Sequence, residues 1–321
     1  MNSMNIELEQ LTDYCRQQLT TGLLIIQNRQ TILEHNWPLP PGSDIFERRY
    51  LHGVSSCGAL REDVASQQKS VIAMLAAIAV DRGLLDIEQP VSRFAGKDWS
   101  RASAIEEQTI LVRHLLEMCS GLDKDLRKEF KTGVHYYYNT PAYAVMLRVL
   151  EEAAGQPLDE LTRSWLTDPV GMKDTGWCYR IAELSENLGN SRGLVTTPRD
   201  LSRIGQLVID GGIASCGTPV VSKTGLASMF KRTELNPAYG RLWWLNGGSH
   251  WTAPHGTGTG SLVFTAPDDA IFALGSENRV LMVVPSQQLI LIRLGQQAPD
   301  HNFREKIVLL LSRAMVAEGF A

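Results

Sequence analysis

Ser66 and Lys69 are the residues whose types and spacing best suit nucleophilic catalysis in this chain. They begin a segment, 64–81, whose Ala, Met, Leu and Ile content predicts a buried helix. Positions i and i+3 of a helix lie on one face, so the hydroxyl and the amine can meet. A serine hydroxyl needs a neighbouring base, and burial lowers the pKa of a lysine so that it can act as one. A solvent-exposed Ser and Lys near a helix start are also common, so this spacing alone is a weak pattern.

Tyr137 and Asn139 form a second candidate group, in a predicted loop just before a helix over 141–154. Residues two apart on an extended backbone point to the same side, which would place a phenol beside a carboxamide. We expect Tyr137 to carry protons between nucleophile and leaving group, and Asn139 to bind a substrate carbonyl or hold Lys69. For the motif taken alone, an aromatic cluster packed between two lobes is the competing interpretation.

Strands are predicted at both ends of the chain and helices in the middle. Alternating and apolar runs predict a hairpin near the N-terminus, and near the C-terminus an antiparallel meander with a closing helix: 22–26, 30–37, 271–274, 280–284, 289–294 and 303–316. The simplest packing joins these strands in one antiparallel sheet flanked by helices, with the middle as a helical lobe. The fold class predicted is therefore α/β of the α+β kind.

The length of 321 residues suits one domain with two lobes. We expect a single domain over 1–321, with a sheet lobe over about 1–62 and 235–321 and a mainly helical lobe over about 63–234. Ligand sites favour such lobe junctions, so we expect the Ser66 region to open there.

Composition excludes several classes of protein. A net charge of -4 without a basic stripe argues against nucleic-acid binding, and the longest apolar run, 71–80, is too short to span a bilayer. The five cysteines are scattered without a CxxC pair, which argues against a disulfide framework or a zinc site. Residues 1–12 do not resemble a secretory signal, so a cytoplasmic location is the default, or a periplasmic one if a leader was removed. The oligomeric state is left open.

Six segments, in order along the chain, resemble landmarks of the serine β-lactamase and penicillin-binding-protein superfamily: 65–70, 78–86, 112–122, 137–139, 193–201 and 239–244. The class C β-lactamase and esterase branch, which includes 6-aminohexanoate-dimer hydrolases, is the most similar. The resemblance implies a β-lactamase/transpeptidase-like fold and an acyl-enzyme on Ser66 that water cleaves. It also implies that Lys69 and Tyr137 share acid and base work and that Asn139 orients the substrate. No metal or organic cofactor is implied.

The superfamily has a third motif, Lys-Thr-Gly or a relative such as His-x-Gly, on a strand that lines the site. A literal Lys-Thr-Gly starts at Lys223, but helix-like sequence follows it, so we expect Lys223 at a solvated helix start. The better match is 272–278, which makes Gly275 and Ser276 the expected substrate-binding residues. A backbone N–H near Ser276 would join that of Ser66 in an oxyanion hole. His255 begins a rival Gly-rich run, 255–260, which we expect to be a flexible loop over the cleft.

These observations predict a serine hydrolase that cleaves a small-molecule ester, amide or lactam through an acyl-enzyme at Ser66. No Lys or His occupies the third motif, which favours an esterase-like or amidase-like activity over a true β-lactamase. The alternative is a penicillin-recognising fold that serves as a binding or regulatory module with little turnover.

Overall fold

The computed structural model describes residues 3–316, which form helices and strands in a mixed order. The helices are α1 Ser3–Gln17, α2 Asp44–Tyr50, α3 Gln68–Asp81, α4 Ser92–Ala95, α5 Ala104–Thr109, α6 Val112–Leu116, α7 Thr140–Ala154, α8 Leu158–Thr162, α9 Asp168–Val170, α10 Ala182–Leu188, α11 Pro198–Ile209, α12 Lys223–Met229 and α13 Phe303–Val316. The strands are β1 Thr20–Gln27, β2 Gln30–Asn36, β3 Leu51–Val54, β4 Leu60–Asp63, β5 Gly176–Tyr179, β6 Arg192–Thr196, β7 Trp244–Leu245, β8 His250–Ala253, β9 Gly256–Thr259, β10 Ile271–Gly275, β11 Arg279–Val284 and β12 Leu289–Gly295.

The main sheet has six antiparallel strands in the order β2-β1-β12-β11-β10-β7. Its centre pairs the first strand of the chain with the last, with Leu24 opposite Ile292. The N-terminal hairpin, the C-terminal meander and the closing helix are where the sequence predicts them. The predicted fold class and the joining of terminal strands in one sheet are therefore confirmed.

A second sheet, with strand order β3-β4-β6-β5, was not predicted. Two of its strands, β5 and β6, lie inside the stretch expected to be mainly helical. They are short, and β6 pairs with β4, which directly precedes the nucleophile segment. The smaller sheet thus fixes the chain immediately before Ser66.

The central helix α3 is surrounded by protein. Its residues 68–79 are all buried, so the apolar run of the sequence has no solvent face. It packs against α7 and α12, and a 3-10 turn, Ala65–Gln67, leads into it. The predicted helix over 64–81 is thus confirmed over 68–81, with a tighter first turn that contains Ser66.

Candidate active site

Ser66 and Lys69 come together at the start of α3. The Lys69 Nζ donates a hydrogen bond of 3.0 Å to the Ser66 Oγ, across one turn of the chain. Ser66 lines a cavity of about 250 Å³ between the helix and the end of β10. The nucleophile candidate and its candidate base therefore share one face of the helix, and the hydroxyl faces open space.

Lys69 is buried, and within residues 3–316 it forms no salt bridge with an acidic side chain. Its side chain is 3% exposed, and the rings of Tyr138 and Tyr143 each lie 4.8 Å from its Nζ. Burial and, to a smaller extent, the nearby charge of Arg180 together lower the pKa of Lys69 to about 7. The two ring faces attract an ammonium and offset part of that effect. A substantial fraction of the amine is consequently neutral at physiological pH and able to accept a proton.

Tyr138 is the tyrosine that reaches the nucleophile. Tyr138 lines the same cavity as Ser66, and its ring stacks on Trp244 with centroids 5.8 Å apart. Burial raises the pKa of Tyr138 to about 12, so the group is a phenol at neutral pH. Ser66, Lys69 and Tyr138 thus form one cluster, in which the amine donates to the hydroxyl and lies 4.8 Å from the centroid of the phenol ring.

Tyr137 is not at this cluster, contrary to the sequence expectation. Its side chain is 43% exposed and does not line the Ser66 cavity, while its backbone N–H donates to the Met118 carbonyl at 2.8 Å. Successive side chains of an extended backbone point to opposite sides, so turning Tyr138 inward turns Tyr137 outward. The motif was placed one residue too early.

Asn139 is also placed differently from the expectation. Its Oδ1 accepts the backbone N–H of Ala142 at 3.0 Å and so caps helix α7. Its Nδ2 donates to the carbonyls of Leu122 and Asp123, both at 2.9 Å. The carboxamide is 3% exposed and its groups are occupied, so it contacts neither Lys69 nor the cavity. The sequence did hold this signal, because Asn followed by Thr-Pro is a typical helix start.

Gly275 and Ser276 form the facing wall, where the sequence places them, and both line the Ser66 cavity. A Cβ at Gly275 would lie 2.5 Å from the Val64 carbonyl oxygen, so only glycine lets β10 approach the nucleophile turn this closely. The Gln67 Nε2 donates to the Ala273 carbonyl at 3.1 Å and ties the two segments together. The carbonyl of Ser276 accepts a hydrogen bond of 3.0 Å from the Arg279 Nη1.

Two cationic or ionisable side chains, His255 and Arg304, also line the cavity. His255 lies in the turn between β8 and β9, a hairpin where a flexible loop was expected, and burial lowers its pKa. Arg304 projects from the first turn of α13, and sequence reasoning missed it. The only available signal was a cation at a helix start, where the helix dipole disfavours it. Lys223, by contrast, is exposed at the start of α12, as expected.

Arg304 carries a buried polar atom that has no hydrogen-bond partner in the part of the chain that the structure describes. Within residues 3–316 its buried Nε donates no hydrogen bond.

Within the same range no group of three or more His, Cys, Asp or Glu side chains could hold a metal ion. Nor does any described helix combine the length and apolar character needed to cross a membrane.

The fold and the sequence together define the family, and the chain belongs to the beta-lactamase family. The beta-lactamase family model matches residues 20–311.

Relatives in this family include hydrolases of more than one kind. Esterase EstB of Burkholderia gladioli is 27% identical over 156 residues, which are 37% of this chain and 40% of the esterase. Two solved structures share the fold. One, from Bacillus anthracis and assigned as a 6-aminohexanoate-dimer hydrolase, is 15% identical with a TM-score of 0.68, over 97% of this chain and 82% of the other. The other, a beta-lactamase/D-alanine carboxypeptidase from Yersinia pestis, is 17% identical with a TM-score of 0.67, over 98% of both chains.

Proposed function

We propose that this protein is a serine hydrolase that cleaves a small ester or amide through an acyl-enzyme on Ser66. The observation that carries the proposal is the 3.0 Å hydrogen bond between the Ser66 hydroxyl and a buried Lys69 amine whose pKa is lowered to about 7. A neutral amine at this distance is a competent general base. The esterase relative and the family membership support the reaction class.

In the acylation step the Ser66 Oγ attacks the carbonyl carbon while Lys69 takes the hydroxyl proton. The oxyanion that forms would be stabilised by the backbone N–H groups of Ser66 and Ser276, which lie on opposite sides of the cavity. The bond to the leaving group then breaks, and Tyr138 donates its proton to that group. Lys69 returns the proton to Tyr138, so the step is balanced. Water attacks the acyl-enzyme by the reverse sequence and frees Ser66.

The role of Tyr138 as a proton donor follows from its environment. Burial raises its pKa to about 12, which disfavours the phenolate and keeps the proton available for the leaving group. The ring faces the Lys69 amine at 4.8 Å, so the two groups are neighbours in the proposed relay. Asn139 has no part in it, because its amide caps α7.

The test is covalent labelling with a fluorophosphonate probe and with a labelled penicillin, on the wild type and on Ser66→Ala. We expect an adduct on the wild type, located at Ser66 by peptide mass spectrometry, and none on Ser66→Ala. An ester, lactam and peptide panel on the same two proteins then identifies the substrate class, with esters expected to react fastest. Labelling at another serine, or no adduct with any acylating probe, contradicts the proposal and favours a binding module.

The pH dependence gives a second check on the same proposal. Acylation requires neutral Lys69, so kcat/KM should rise with pH and reach half its plateau near pH 7, the pKa of this amine. A rate that is flat across this range would mean that Lys69 is not the base.

A further inference from the structure

Arg180, which follows strand β5, makes a set of buried hydrogen bonds next to the nucleophile segment. Its Nε donates to the Asp63 Oδ2 at 2.7 Å and its Nη2 to the Asp63 Oδ1 at 2.9 Å. The same Nη2 donates to the Gln68 Oε1 at 2.8 Å, and Nη1 donates to the Asn190 carbonyl at 3.0 Å. The side chains of Arg180 and Asp63 are 2% and 0% exposed. This ion pair is sealed from solvent.

Through Asp63, the pair holds the residue before the nucleophile. The Asp63 Oδ1 accepts the backbone N–H of Ala65 at 2.9 Å. Ala65 has a φ of 49°, a left-handed conformation that costs a non-glycine residue about 1–2 kcal/mol. Such strain persists only where the surroundings fix it, and it directly sets the direction of the Ser66 side chain.

Through Gln68, the pair also holds the residues after the nucleophile. The Gln68 Oε1 accepts from Arg180 and from the Leu194 N–H at 3.2 Å, while its Nε2 donates to the Tyr143 hydroxyl at 3.2 Å. Tyr143 is one of the two rings against the Lys69 amine. One guanidinium therefore connects the strained residue before Ser66 with the packing around Lys69.

The neighbouring strand, β6, leaves no space for another arrangement of the Arg180–Asp63 ion pair. A Cβ at Gly193 would lie 2.3 Å from the Asp63 Oδ2 and 2.9 Å from the Cys178 Sγ, so β6 closes directly over the carboxylate. A buried ion pair is weak evidence for stability, because apolar residues of similar volume often serve as well. The convergence of its hydrogen bonds on the residues flanking Ser66 is better explained by a role in the reaction.

We propose that Arg180 is a positioning residue: with Asp63 it fixes the backbone on both sides of Ser66 and directs the hydroxyl at Lys69. This inference rests on the proposed function of Ser66. The rings of Tyr138 and Tyr143 lie against the Lys69 Nζ, and the charge of Arg180 helps to lower the pKa of this amine. Arg180 itself is paired with Asp63, and its charge also acts to lower the pKa of His52 and of Cys178. Removal of the Arg180 charge is therefore expected to raise the pKa of Lys69.

The experiment compares Arg180→Gln and Arg180→Lys with the wild type, using 4-nitrophenyl acetate turnover and fluorophosphonate labelling rates from about pH 5 to pH 9. For Arg180→Gln we expect kcat/KM to fall about 10- to 100-fold, because the nucleophile is misplaced. We also expect the midpoint of the pH–rate profile to rise by about one unit, because the ammonium form of Lys69 is less disfavoured. Arg180→Lys keeps the charge but loses the bidentate geometry, so the rate should fall while the midpoint stays near pH 7.

Arg279→Gln is the matched control. Arg279 is the cation of the second fully buried ion pair, with Glu62 at 3.2 Å and both side chains 0% exposed. Its loss should lower the melting temperature about as much as the loss of Arg180 but leave the midpoint unchanged. A midpoint in Arg180→Gln equal to that of the wild type, with kcat/KM within about 2-fold of the wild-type value, overturns the inference.

A double variant covers the case in which Arg180→Gln does not fold. Asp63→Asn/Arg180→Met removes both charges and leaves no buried ion unpaired, so it should fold and still show the rate loss. A double variant as active as the wild type contradicts the inference. Failure of the proposed function looks different, because then the wild type itself acquires no label on Ser66.

Discussion

Two walls face each other across the Ser66 cavity, and they use their polar groups differently. On the helix wall, Lys69 and Gln68 form hydrogen bonds inside the protein, and the Tyr138 ring lies against the Lys69 amine. On the opposite wall, the turn after β10 offers backbone, and Arg304 reaches the cavity with its buried Nε unpartnered within the described residues 3–316. The helix wall is organised before a substrate arrives, as the reacting groups must be. The opposite wall keeps free capacity, which a substrate can satisfy.

Tyrosines 137 and 138 give the largest expected effect and test the helix wall. Tyr138→Phe removes the proposed proton donor and should lower kcat/KM at pH 7 about 100-fold or more. Tyr137→Phe changes an exposed side chain and should stay within about 2-fold of the wild type. Steady-state kinetics on one ester measures both. If the two variants lose activity equally, the assignment of Tyr138 to the site is wrong.

Gly275 lets β10 lie close to the nucleophile turn. We expect a side chain at this position to have a smaller effect than the loss of the Tyr138 hydroxyl. Gly275→Ala places a Cβ about 2.5 Å from the Val64 carbonyl oxygen, so β10 must move away from the nucleophile turn. We expect kcat/KM to fall about 10-fold and the free energy of unfolding to fall by about 1–3 kcal/mol. Gly176→Ala is the control, since its Cβ would meet no atom within 4 Å. An alanine at 275 with unchanged kinetics and melting temperature would show that the close contact is not needed.

The smallest expected effect concerns Arg304 in the opposite wall, which we expect to lower the free energy of unfolding. Arg304 is a cation in the first turn of α13, where the helix dipole opposes it, so Arg304→Gln should raise the free energy of unfolding by about 0.3–1 kcal/mol. Arg313 lies in the last turn of the same helix, and Arg313→Gln should leave stability unchanged or lower it slightly. Urea denaturation followed by circular dichroism measures both. A loss of stability in Arg304→Gln would mean that the guanidinium has a structural role.

The fold was largely predictable because its signals are local and periodic. The hairpin, the meander and α3 each follow from apolar patterning, and their joining follows from the need to bury apolar faces. The strands β5 and β6 were missed because four or five residues carry too little periodicity. Their strand character is set by pairing with β4 and with each other.

The site was predictable only where the spacing itself fixes the geometry. Ser66 and Lys69 are one helical turn apart, so helix geometry alone brings them together. Tyr138 was missed because the direction of a side chain in a loop depends on tertiary packing, and a shift of one residue reverses it. Arg304 and Arg180 reach the site from distant parts of the chain, and no local sequence pattern indicates such contacts.

The buried amine of Lys69 also makes the free energy of unfolding depend on pH. Its pKa is about 7 in the folded protein and returns to about 10.5 when the chain unfolds. Between these values the unfolded chain binds one more proton, so the contribution of this group to the free energy of unfolding grows as the pH rises. Below pH 7 the fold carries the full penalty of enclosing a charged side chain. Burying the Lys69 amine therefore costs the folded protein free energy while the amine is charged. This cost disappears as rising pH removes the proton.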